Sequence, residues 1–274
     1  MSRIEYLCPT CEKPVKLMSA MRARCKRCRK DFQLKDLQRI RSMTILGAGP
    51  PDSGPLWFAK GTASATGAPI TTFTITNVSV SKNEILVVYA GYRNAAAVPV
   101  APVSMTWGAQ SLSPTASNSF FSWGGLPSFL GLAQWFLIAA NGGTFDVIVD
   151  ITTSSATEAL GCAEGIKDAN NYLGLAGASN ASGTSQATGS LSSVTPGLVV
   201  AALVDAYDIA NPRGAWTSTV PGCGALTSGQ LVGLSVVTLE TAHCLVSQST
   251  GNSTISNDLS DSRWIMLFGG ARRP

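Results

Sequence analysis

The sequence predicts a mainly β protein of two unequal parts: a small N-terminal module built on four cysteines, then a large antiparallel β-sandwich of jelly-roll type. Three observations point there. From residue 56 onward, short apolar or alternating runs recur between turn-forming clusters. No stretch of that region keeps a helical period over about ten residues. Ahead of it, residues 8–28 hold four cysteines in two C-x-x-C pairs.

A chain of 274 residues suits one large domain with a small appendage. Charged residues make up 13%, about half the usual share, while Gly, Ser, Thr and Ala are abundant. That composition belongs to a packed, weakly charged protein rather than a disordered one. The net charge of +4 hides an asymmetry: residues 1–42 carry 12 Lys and Arg against 4 Asp and Glu, and residues 43–274 carry 8 against 12. A basic head precedes a mildly acidic body. No apolar run approaches the roughly 20 residues needed to span a bilayer, and the N-terminus lacks the apolar core of a secretory signal. The expectation is a protein made and folded in the cytoplasm, with no membrane partner.

The head reads C-P-T-C from Cys8 and C-K-R-C from Cys25, with 13 residues between the pairs. Each C-x-x-C lets a tight turn aim two sulfurs at one point, and a hairpin between them brings the second turn opposite the first. Residues 4–34 resemble the broad class of zinc ribbons, with Phe32 where an aromatic often closes the ribbon. Glu12 and Arg29 stand where many ribbons have glycine, a departure that touches the geometry of the turns. The resemblance implies one structural Zn2+ held by Cys8, Cys11, Cys25 and Cys28, a closed site that leaves no position for a catalytic water. Such a small unit draws most of its folding free energy from the metal. The alternatives are two disulfides, disfavoured by the missing export signal, and a redox C-x-x-C, which belongs in a βαβ pattern. The remaining cysteines, Cys162, Cys223 and Cys244, are odd in number and far apart, and read as small buried apolar residues.

Around the second pair lie Arg22, Arg24, Lys26, Arg27, Arg29 and Lys30, followed by Lys35, Arg39 and Arg41. Nine cations in 20 residues favour contact with phosphates or an acidic protein surface over a merely solvated face. Only Tyr6 and Phe32 could stack on bases, so sequence-specific reading of nucleic acid is not expected. A short helix is expected over Lys35–Met43. The domain limits read as 1–42 for the ribbon, 43–55 for a Pro/Gly linker and 56–274 for the sandwich.

The clearest strand runs are 70–80, 85–93, 132–140, 144–152, 198–206, 231–242 and 263–270. In T-F-D-V-I-V-D-I-T, Phe145, Val147, Val149 and Ile151 are expected on one side, with Asp146 and Asp150 on the other. Asn141, Gly142 and Gly143 read as the turn of a hairpin joining 132–140 to 144–152. Continuous apolar runs such as LVVAALV suit central strands. About eight to ten strands are expected, with Gly174–Ser193 and Thr106–Pro127 as loops or edge strands.

The succession T-W-G-A-Q-S-L from Thr106, A-Q-W-F-L from Ala133, G-T-F-D-V-I-V from Gly143 and A-L-G-C-A-E-G from Ala159 resembles β-sandwich modules of phage virion proteins and bacterial surface proteins. These are packing motifs and transfer no active site. Trp107 and Trp135 read as core or interface aromatics.

No catalytic constellation is expected. His243, the one histidine, adjoins Cys244, and neighbours on a strand point to opposite faces, so it reads as a structural histidine with its hydrogen bonds satisfied. Glu158 and Glu164 share strand parity but are six residues apart, about 20 Å if extended, too far for a glycosidase pair. Asn252, Asn257, Asp258 and Asp261 offer only a weak calcium cluster. The expected function is therefore that of a non-enzymatic structural and interaction protein. The expectation is a phage virion component (capsid decoration, head or tail protein), homo-oligomeric, docking through its basic ribbon to a protein partner. The runner-up is a nucleic-acid-associated protein, cytoplasmic, whose ribbon grips phosphates without sequence preference; a carbohydrate-binding sandwich stands third.

Overall fold

The computed structural model describes five short strand segments within residues 5–40. It also describes residues 55–272, apart from 95–101, 116–118, 124–127, 153–155, 192–195, 206–214, 224–225, 235–236, 247–248 and 250. The chain divides into two compact units, Met1–Asp52 and Ser53–Pro274.

In the first unit, β1 (Glu5–Leu7), β2 (Lys16–Ser19), β3 (Arg22–Arg24), β4 (Asp31–Gln33) and β5 (Gln38–Ile40) form two small antiparallel sheets. The hairpin β2–β3, with Lys16 opposite Arg24, lies in the interval between the two cysteine pairs. Gln38–Ile40 falls inside the segment expected as a helix, yet it is a strand paired with Glu5–Leu7. Nine residues are too few for a helix to stand by its own backbone bonds, whereas an extended segment gains a partner strand at once.

In the second unit the chain runs through β6 (Leu56–Ile70), β7 (Thr72–Val80), β8 (Ile85–Asn94), β9 (Ser104–Trp107), β10 (Gln110–Ser111) and β11 (Ser113–Pro114). It continues through β12 (Ser119–Trp123), β13 (Ser128–Ile138), β14 (Gly143–Asp150), β15 (Ala156–Lys167) and β16 (Asn171–Leu191). It ends with β17 (Gly197–Asp205), β18 (Trp216–Ser218), β19 (Thr227–Gly233), β20 (Thr238–Val246) and β21 (Ser253–Arg272). All pairings are antiparallel. Sheet I has the order β10-β9-β14-β7, sheet II the order β11-β13-β8-β15-β6 with β12 beside β13, and sheet III the order β16-β21-β17-β20-β19 with β18 beside β21.

Among the described residues of this unit, sixteen strands in three sheets replace the expected eight to ten, and the reason lies in two apolar runs. On β8, Leu86, Val88, Ala90 and Tyr92 pack with residues of sheet I such as Phe73, Ile75 and Trp107. The alternate residues Ile85, Val87 and Tyr89 pack with Leu198, Val200 and Ala202 of sheet III. Sheet II is therefore a filling between two others. On β17 all nine residues are buried, because Val199, Ala201 and Leu203 meet a further apolar cluster on the far side of sheet III. Strands with no wet face read as continuous apolar sequence.

That further cluster is built by the chain folding back. β16 and β21 pair along almost their whole lengths, with register shifts at Asn180/Thr184 and Thr184/Gln186. Past those shifts the ribbon brings Leu191, Ile255 and Trp216 over Phe268 and Met266 of its own first half. Gly189 is what permits the approach: a Cβ there would lie 2.3 Å from the Phe268 ring.

Three further expectations change. Asn141–Gly143 is not a hairpin turn, since β13 belongs to sheet II and β14 to sheet I. The turn is a corner between layers, pinned where Ala139 exchanges backbone hydrogen bonds with Asn83 and Glu84. Phe145 does not join Val147, Val149 and Ile151 in the core. A register shift between Phe145 and Val147 leaves its ring 47% exposed and edge-on to Trp107. Finally, Cys223 and Cys244 are not separate apolar fillers but a disulfide, with Cα atoms 5.9 Å apart, while Cys162 is free and buried as expected. The 20 residues between the partners include β19 and the first part of β20, and the fold of those strands brings Cys244 back beside Cys223, a return that sequence distance conceals.

Closing a loop of that length stabilises by about 3 kcal/mol. Changing Cys223 and Cys244 together to Ala is expected to lower the thermal midpoint by roughly 10 °C in a calorimetric scan; an unchanged midpoint would show that the bridge does not constrain the unfolded chain.

Candidate functional site

Polar groups are concentrated where β6 and β15 of sheet II meet β19 and β20 of sheet III. On β15, Leu160, Cys162 and Ile166 point to sheet III, and Glu164 shares their parity. On β20 the same alternation aims Leu239 at sheet II, with Thr241 and His243 on that face, while Ala242, Cys244 and Val246 face the far cluster. The expectation that His243 and Cys244 point apart is thereby met.

The two edges interlock. A register shift between Ser228 and Leu231 turns Gln230 inward. Its backbone N–H donates to Thr241 Oγ1 at 2.8 Å and its Nε2 donates to the Ala163 carbonyl at 2.6 Å, a direct link from sheet III to sheet II. Trp57 of β6 stacks on His243 of β20, with ring centroids 4.2 Å apart and planes 12° from parallel. Gly229 lets these strands close up, since a Cβ there would lie 2.5 Å from Thr241 Oγ1 and 3.0 Å from the Trp57 ring.

Inside this seam sits Glu164, fully buried, with neither carboxyl oxygen in a hydrogen bond. Burial pushes its carboxyl up to about 7, and the neighbouring Thr241 hydroxyl and Trp57 indole offset only part of that rise. The seam holds two more buried polar atoms with no hydrogen-bond partner, Trp57 Nε1 and His243 Nδ1. His243 is thus structural but not fully satisfied, and burial lowers its pKa. Deeper in the same layer, Gln134 Nε2 donates to the hydroxyls of Tyr172 at 2.7 Å and Tyr89 at 3.2 Å. Burial first, and then the Glu164 charge, raise the pKa of the Cys162 thiol, which therefore stays protonated and unreactive at neutral pH.

No protein-family model matches this chain, and no curated protein sequence is significantly similar to it. The geometry must be read on its own chemistry.

That chemistry is the holding of a proton. Glu158, the other carboxyl of β15, is engaged elsewhere, in an ion pair with Arg93 at 3.0 Å, so the two acids do not share a site. Trp107 is a core residue as expected, donating from Nε1 to the Val78 carbonyl at 2.9 Å, and Trp135 is buried as well. Among the described residues no group of three or more His, Cys, Asp or Glu side chains could hold a metal ion. Cys8, Cys11, Cys25, Cys28, Lys26, Arg27, Arg29 and Lys30 lie outside the described residues, and of Arg22 and Arg24 only the backbone, on β3, is described. Among the described residues no helix is long and apolar enough to cross a membrane.

Sequence reasoning noticed Glu164 only to discard it as half of a catalytic pair. Its signal was a single acid in the otherwise small and apolar stretch A-L-G-C-A-E-G-I of β15, residues 159–166.

The proton has a consequence for stability. Below about pH 4.5 Glu164 is neutral in both folded and unfolded chains. Between there and about 7 only the unfolded chain ionises, so stability falls as pH rises; above that the loss, about 3 kcal/mol, is complete. Glu164→Gln is expected to remove this slope. Its gain in melting temperature over the natural chain should grow across that interval and then level off; a pH-independent difference would show that the carboxyl does not titrate there.

Proposed function

We propose that this chain is a non-enzymatic structural and interaction protein, a phage virion component of the capsid-decoration, head or tail type, whose basic zinc ribbon docks it to a partner. The observation that carries the reading is the construction of the second unit. Three stacked sheets are buried face to face, a ribbon is folded back over the last of them, and a disulfide ties that face. Such a body invests its sequence in rigidity. The low charge, the small polar surface residues and the likeness to jelly-roll-like virion modules support the same reading. The disulfide supports it as well, since such bonds persist in oxidising surroundings, which a particle released from its host cell meets.

In this reading Cys8, Cys11, Cys25 and Cys28 hold one Zn2+ that shapes the head, and Arg22, Arg24, Lys26, Arg27, Arg29 and Lys30 present its charge. Four thiolates on one divalent ion add a net −2, so the head's surplus of 8 basic groups falls to about +6. The docking surface it fits is acidic. The density of cations keeps a second reading in play, non-specific phosphate binding, which salt dependence separates from protein docking.

Metal analysis of the purified chain is expected to find one zinc per molecule, and changing Cys25 and Cys28 to Ser should abolish both the metal and particle association while the second unit still melts cooperatively. Association retained without the metal would overturn the docking role. A steep loss of DNA affinity with rising salt, without affinity for particle proteins, would favour the phosphate reading.

A further inference from the structure

Eleven asparagines stand in this chain, and only Asn141 is followed by glycine. The backbone nitrogen of the residue after an asparagine can attack that asparagine's side-chain amide, and a side chain on the attacking residue shields its nitrogen. Glycine carries no such shield. The fold itself demands the glycine. Gly142 lies at the corner between β13, which ends at Ile138, and β14, which begins at Gly143. A Cβ on it would lie 2.8 Å from the Lys82 backbone nitrogen and 3.1 Å from the Val80 carbonyl oxygen, main-chain atoms that cannot swing aside. The packing that turns the chain from sheet II into sheet I therefore fixes the reactive pair.

Asn141 is exposed and lies outside the ladders of both strands. Among the described residues neither its side-chain amide nor the Gly142 N–H has a hydrogen-bond partner. Other asparagines are held. Asn94 and Asn257 are buried. After Asn171, the Tyr172 N–H donates to the Asn171 Oδ1 at 2.8 Å, so the nitrogen that would attack is engaged by its own target. After Asn83, the Glu84 N–H donates to the Ser81 carbonyl at 3.2 Å.

We propose that Asn141–Gly142 is a self-modification site, at which the folded chain converts its own asparagine into an isoaspartyl link through a cyclic imide. The Gly142 nitrogen gives up its proton and attacks Asn141 Cγ; the new N–Cγ bond forms, the Cγ–Nδ2 bond breaks, and ammonia departs with the proton. Water then opens the five-membered imide at one of its two carbonyls. Opening at the side-chain carbonyl leaves an ordinary aspartate at position 141. Opening at the main-chain carbonyl, the more electrophilic of the two, leaves the backbone running through Cγ and one methylene longer. Water is the only co-reactant, and no electrons change hands. Either product adds one negative charge at a corner that Ala139 pins to Asn83 and Glu84. The site is independent of the assembly reading and of the basic head.

Peptide mapping by mass spectrometry tests it on the full chain aged in mildly alkaline buffer, beside the same chain held unfolded in urea. The peptide that contains position 141 is expected to change first among the asparagine peptides, gaining the mass difference between an NH2 and an OH group. Its isoaspartyl form should exceed the aspartyl form, which alone is cut by an endoproteinase specific for aspartate. Because an exposed corner opens at little cost, the native rate should stay within about tenfold of the unfolded rate. Asn141→Ser, at an exposed side chain, should keep the circular dichroism of the natural chain and show no change in this peptide. A native rate far below that limit overturns the proposal, since the corner would then hold the pair apart. Earlier conversion of another asparagine, or a product that is aspartate alone, contradicts it as well.

Discussion

Burial of sheet II on both faces is the constraint on which the rest of the second unit depends. A sheet covered on one face can tolerate an error on the other, but β8 has no such latitude. Its even-numbered residues are shared with sheet I and its odd-numbered residues with sheet III. At close packing, a change of one methylene on either side is felt by the neighbouring layer. The same constraint selects small residues on β15, where Ala159, Gly161 and Ala163 alternate with Leu160, Cys162 and Glu164, and it makes the layers one cooperative body.

A doubly covered sheet leaves polar groups few places to go, which explains the character of the seam. Glu84, also fully buried, is matched by Lys60 at 2.7 Å and by the Ser81 N–H. Glu164 meets no cation, only the Thr241 hydroxyl and the Trp57 indole, so burial raises its pKa to about 7. Gln230 and the Trp57–His243 stack join the sheet edges around this buried carboxyl.

Much of the β architecture was legible because periodicity reports burial. The apolar run at 198–206 marked a strand covered on both faces, and the alternation at 144–152 marked one covered on one face. What could not be read was partnership between distant elements. The runs at 132–140 and 144–152 look like a hairpin because three turn residues separate them, yet they enter different sheets. The run at 231–242 reads as one strand, but Leu234 and Val237 form a turn within it, so it splits between β19 and β20. β6, rich in Ala, Gly and Thr, gave no apolar signal because its pairing rests on backbone bonds and on β15. The Cys223–Cys244 bridge and the position of Glu164 depend likewise on which strands meet. The expectation for the four-cysteine head rests on local spacing alone, and its cysteines lie outside the described residues.

The proposed assembly role rests on a body whose layers share one sheet. The central claim is that sheet II is the common wall. Native-state hydrogen exchange tests it most directly, because amides that open only by global unfolding report the full stability of the fold. The account predicts that the amides of β8 and β15 exchange slowest, at one shared free energy equal to that of denaturant unfolding. If sheet I or sheet III outlasts β8, or opens while the other layers remain protected, the layers are independent and the account is wrong.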